Sequence, residues 1–106
     1  MEARTYVARI LALYGTLPGT LGRILRDDRR TARDLHNRGV PLDTVESAFV
    51  LATARRTFRS DADRLDPVRA LRYFLPVIQE IVQEPPLPEY VHYLRRRLQD
   101  AGIHIP

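Results

Sequence analysis

Residues 32–48, ARDLHNRGVPLDTVESA, decide how this chain folds. Ala32 and Leu35 end one run of helically spaced apolar residues, and Val45 and Ala48 begin the next. Between them, Gly39 supplies a left-handed stop, while Pro41 and Asp43 are the residue types that open a helix. Val40, Val45 and Ala48 fall where a helix-turn-helix motif buries apolar side chains between its helices. A helix, a glycine corner and a second helix are therefore expected here.

Outward from this corner the spacing stays helical and no segment shows strand alternation. A first helix is predicted over residues 2–14, with Tyr6, Ile10 and Leu13 in one stripe and Gly15 as its stop. The helix before the corner has two possible starts. It can begin after Thr20, which puts Asp28 on the apolar stripe at a cost unless that carboxylate is paired. The preferred reading breaks the chain near Asp27 and lets Asp28 cap a shorter helix ending at Asn37. The third helix should reach about Phe58, burying Leu42, Val45, Phe49 and Ala52. Residues 60–65 then read as a polar connector.

Asp66-Pro67 is a strong helix-start signal, so a fourth helix is predicted over residues 67–83. Leu71, Phe74, Leu75, Ile78, Ile81 and Val82 make it the most apolar element and suggest that it is central. Phe74, Leu75 and Ile78 should be buried, and Pro76 should kink the helix. After the stiff connector around Pro85, Pro86 and Pro88, a fifth helix runs to about Asp100. Leu87, Val91, Leu94, Leu98 and Ala101 form its regular seam. The whole reads as one all-α domain, residues 1–106, a compact bundle of about five helices with a helix-turn-helix-like corner.

Composition narrows the function. The chain has 106 residues and no cysteine, which excludes disulfides, thiolate metal sites and cysteine nucleophiles. The N-terminal residues do not read as a signal peptide, because Arg9 interrupts the apolar run, and no apolar stretch approaches a membrane span. A cytoplasmic protein without membrane attachment is expected. Glycines at 15, 19 and 22 lack phosphate-loop spacing, and there is no lysine to reach a phosphate. His36, His92 and His104 are far apart and have no zinc-ligand spacing. Tyr90 and Tyr93 have no metal motif to activate them, and Ser47 and Ser60 lack a triad arrangement. No catalytic residue, metal, cofactor or small-molecule substrate is expected, and the chain reads as a non-enzyme.

What remains is arginine. All 17 basic side chains are arginine and the formal net charge is +4. Codon bias in a GC-rich genome accounts for the missing lysine, but guanidinium forks also suit phosphate. Arg29, Arg30 and Arg33 precede the Gly39 corner, and Arg55, Arg56 and Arg59 follow it. These six are the candidate phosphate contacts. One nucleic-acid backbone could touch both groups only by running across the helix pair. Asp43 and Glu46 at the start of the third helix disfavour base reading there. The alternatives are a solvated surface laced with ion pairs, or a protein–protein adaptor or homodimer whose fifth-helix seam faces a partner.

Two blocks add a resemblance. Residues 32–56, ARDLHNRGVPLDTVESAFVLATARR, and residues 66–81, DPVRALRYFLPVIQEI, resemble small helical proteins from mobile elements and replication-initiator-like genes of GC-rich bacteria. Residues 32–48 also look like one helical module of the RecX recombination regulators, present here without the tandem copies of that family. The resemblance implies a role in DNA transactions of a mobile element. The expected partner is nucleic acid, DNA ahead of RNA.

Overall fold

Gly39 closes the corner as the sequence requires. Its φ of 74° is one that a side chain would strain. That conformation lets the Gly39 N–H reach the His36 carbonyl at 2.9 Å and the Val40 N–H reach that of Leu35 at 3.1 Å. This is the two-bond Schellman ending of a helix. The Val40 carbonyl in turn accepts the Tyr6 hydroxyl at 2.8 Å, which ties the corner to the first helix.

The computed structural model describes residues 1–59 and 65–106. The predicted connector lies largely outside the described residues, as do Asp61 and Asp63. The described elements are all helical: α1 (Ala3–Gly15), α2 (Arg26–Asn37), α3 (Leu42–Thr57), α4 (Leu75–Gln83) and α5 (Pro88–Asp100), with a short 3-10 turn, Leu71–Phe74, leading into α4. The all-α bundle of about five helices is as expected. Its radius of gyration, 13.4 Å, is that of a compact fold of this length. No helix among the described residues is long and apolar enough to cross a membrane.

The central helix is α3, not α4. It packs against α1, α4, α5 and the 3-10 turn. Every residue from Ala48 to Ala54 is buried. Seven consecutive positions cover every direction around a helix of 3.6 residues per turn. Ala48, Ala52 and Ala54 make this possible, since small side chains let neighbouring helices approach from several sides. By contrast α4 is short. It buries Ile78 and Ile81 but leaves Val82 exposed. Leu75, expected in the core, is only half-buried.

The predicted fourth helix is mostly not a helix before Leu71. Residues 65–70 are extended, because Val68 pairs with the loop after α1. Its N–H donates to the Gly19 carbonyl at 2.7 Å, and its carbonyl accepts the Leu21 N–H at 3.1 Å. Val68 itself is buried. Asp66 and Pro67 therefore start no helix. The kink expected at Pro76 has no α-helix interior to act on. Pro76 stands in the first turn of α4, where its missing N–H would have had no helical partner.

Asp28 resolves the ambiguity at α2 differently from either expected start. The helix starts at Arg26, so Asp28 is inside its first turn rather than its cap. One carboxylate oxygen accepts the Leu25 N–H at 2.8 Å. The other reaches across to the Leu71 N–H at 2.9 Å. The group is 1% exposed and sits on the apolar side of α2, with both oxygens bonded to backbone.

At the centre, Phe74 meets Phe49 and Tyr14 edge to face, at 5.0 and 6.2 Å between ring centroids. Burial first, and the nearby Asp28 carboxylate second, push the Tyr14 phenol from its ordinary 10.0 up to about 12. A folded-state value above the unfolded one favours the neutral phenol in the fold. That contribution is complete below pH 10 and is lost as pH rises toward 12. Thermal unfolding across this window should show the wild type losing more stability than Tyr14→Phe. Equal losses would contradict the placement of Tyr14.

Candidate functional site

The six candidate arginines separate into different environments. Arg29 and Arg33 lie one turn apart on the exposed side of α2, and with Arg4 and Asn37 they line a groove against α1. Ala3 and Val7 complete it, and its volume is about 370 Å³. Arg30 is exposed on the same helix. The sequence explains this side of α2: apart from the buried Asp28, Ala32 and Leu35, the helix is polar, so its remaining face is left to water. Arg4 is not among the expected residues. Only the packing of α1 on α2 brings it to the groove, and no spacing in the sequence encodes that.

Arg55 lies elsewhere. It forms a two-bond pair with Glu80 of α4, at 2.9 and 2.5 Å. These bonds hold the Glu80 carboxyl below its ordinary range and push the Arg55 guanidinium up. Arg56 points to another side, donating to the Tyr73 hydroxyl at 3.1 Å and to the Asp66 carbonyl at 2.7 Å. Its guanidinium also lies over the Tyr73 ring, 5.5 Å from the centroid. Arg56 thus clips the extended segment before the 3-10 turn onto α3. Arg59 lines the cleft that holds Arg55. The two expected groups share neither groove nor cleft among the described residues.

Among the described residues one ion pair forms, Arg55 with Glu80. Arg4, Arg29 and Arg33 are not part of it. On α2 no ion pair forms among the described residues.

The helix-turn-helix corner is present in the backbone, and α3 is enclosed by its neighbours from Ala48 to Ala54. Its first turn is open: Asp43 is exposed, and with Thr44 and Ser47 it lines a concavity with Pro88, His92 and Arg95 of α5. The seam of α5 is likewise internal where it is strongest. Leu94 and Leu98 are buried and Val91 packs on the same core. Leu87, at 71% exposure, is outside it.

A second cleft, about 380 Å³, opens between the end of α3, α4 and α5. Leu51, Ala54, Ile81 and Leu94 form its apolar floor, and Arg55, Glu80, Tyr90 and Arg97 stand at its rim. Arg97 lies over the Phe58 ring, 4.0 Å from the centroid. A shallower concavity holds Arg69 and Arg72 beside Tyr73. Among the described residues no three His, Asp or Glu side chains gather as a metal site. Set against protein-family models, curated proteins and solved structures, the chain matches none of them.

Proposed function

We propose that this protein is a non-enzymatic nucleic-acid-binding accessory protein that grips phosphate through arginine. The observation behind this reading is the α1–α2 groove, where Arg4, Arg29 and Arg33 converge outside any ion pair among the described residues. Arg29 and Arg33 are about 6 Å apart along the helix axis. Guanidinium forks at such a spacing can each take a phosphate in bidentate fashion. Asn37 adds a neutral donor one turn further on. Arg30 is the neighbouring contact. Arg55 and Arg56, whose donors are engaged within the fold, drop out of the contact set. DNA of a mobile element is the partner that the resemblance of residues 32–56 and 66–81 favours.

Arginine–phosphate pairs of this kind read no bases, so binding should be nearly independent of sequence. The test is a duplex titration of the variant with Arg4, Arg29 and Arg33 all changed to glutamine. Removing a guanidinium from its phosphate should cost on the order of 1 kcal/mol per arginine, so affinity should fall at least tenfold on every sequence tested. Unchanged affinity would remove the groove from the account.

A further inference from the structure

We propose that the outward face of α5 is a stacking platform for unpaired nucleobases, which makes single-stranded nucleic acid the preferred ligand. The platform deepens the phosphate-binding reading and rests on it. Tyr90 and Tyr93 are 48% and 46% exposed. Their ring centroids are 6.2 Å apart with the planes tilted by 36°. Arg97 follows on the same face, its guanidinium 6.0 Å from the Tyr93 ring and 4.0 Å from that of Phe58. Tyr90, Tyr93, Arg97 and Phe58 thus form a row of flat groups, with Arg96 exposed beside it.

Packing does not account for this row. Leu94 and Leu98, on the side of α5 next to Tyr90, are its buried residues, while both tyrosines stay about half-exposed. Leaving two such rings half in water forgoes the gain of burying them. The chemistry they suit is a flat, partly polar ligand with an anionic backbone. A base stacks on tyrosine or on a guanidinium plane, and Arg96 and Arg97 supply positive charge for phosphate. On the neighbouring cleft Arg55, Arg59 and Arg97 face Glu80 and Glu84, and Glu80 is paired with Arg55, so the balance there is positive. A duplex hides its base faces and offers this surface only phosphate, whereas an unpaired strand offers both.

The chain has no tryptophan and five tyrosines. Of these, Tyr73 is also half-exposed but lies away from α5, so emission reports on the platform in a Tyr73→Phe background. Tyr6 and Tyr14 are buried. The experiment titrates the protein with a short oligothymidylate and with a duplex of equal length, and follows both tyrosine emission and affinity. The single strand should quench emission and the duplex should not. Changing Tyr90 and Tyr93 together to alanine should weaken single-strand binding by about tenfold or more while leaving duplex binding unchanged. Changing both to phenylalanine should restore it, because stacking needs the ring and not the hydroxyl. Circular dichroism checks that the variants keep their helices, and quenching in the Tyr73→Phe background is read with Tyr90 and Tyr93 intact. Duplex binding without single-strand preference or quenching would overturn the platform and leave the α2 reading standing. No binding to either nucleic acid would overturn both. Loss of self-association in the alanine variant, with single-strand binding intact, would mark the face as a contact between copies and overturn the inference.

Discussion

Phe74→Ala should lower the stability of this protein by about 3–5 kcal/mol, as deletion of a fully buried aromatic ring does. Phe74 is 1% exposed and is the ring on which Phe49, Tyr14 and Tyr73 converge. It therefore joins α1, α3 and the 3-10 turn in one contact set. A domain of this size is stable by roughly 5–15 kcal/mol, so the loss is a large fraction of the total. Urea unfolding measures it. Leu75→Ala should cost clearly less, because Leu75 is only half-buried. Equal costs, or a change at Phe74 within about 0.5 kcal/mol, would contradict the core described here.

Asp28→Ala should be the second severe substitution, at roughly 2–5 kcal/mol. The carboxylate accepts the Leu25 and Leu71 N–H groups, and its removal strands the buried Leu71 donor and takes the N-terminal partner of α2 from the part-buried Leu25 donor. Each buried donor left without a partner costs about 1–3 kcal/mol. The position is structural in two ways, for it starts α2 and joins α2 to the turn before α4. Asp28→Asn separates the roles. An amide keeps one acceptor oxygen but points donors at the second N–H, so the variant should recover only part of the loss. Wild-type stability in the asparagine variant would show that the two bonds do not matter together.

Asp28 also marks the boundary of what the amino-acid sequence makes legible. A carboxylate near a helix start is a local pattern, and as an N-terminal signal it is sound to within one turn. Its partner Leu71 lies 43 residues away, and no local pattern encodes that bond. The elements framed by local signals lie close to expectation: α1 between Glu2 and Gly15, the Gly39 corner, and α5 from Pro88 to Asp100. Those set by long-range packing do not. Asp66-Pro67 has the residues of a helix start, yet the pairing of Val68 with Gly19 and Leu21 holds the segment extended. Hydrophobic content points to α4 as the centre, whereas centrality comes from the alanines of α3, which add little to an apolar count but allow close approach.

The candidate site divides along the same line. Arg29, Arg30 and Arg33 are exposed because their helix is polar on that side, which spacing alone predicts. That Arg4 joins them, and that Arg55 and Arg56 are engaged at the surface by Glu80, Tyr73 and Asp66, depends on which helices become neighbours. An arginine count treats all of these alike, and only the tertiary fold shows which guanidiniums are bonded to Glu80, Tyr73 and Asp66. The same holds for the tyrosines of α5, whose spacing fits packing beside the Leu94 seam. Leu94 and Leu98 do pack inward, and the rings are left at the surface.

The most direct test of phosphate gripping by the α1–α2 groove is the salt dependence of wild-type binding to duplex DNA. Each neutralised phosphate releases counterions and contributes about −0.9 to the slope of log K against log salt, so Arg4, Arg29 and Arg33 together predict a slope near −3. A slope indistinguishable from zero, or no binding even at low salt, would contradict the account.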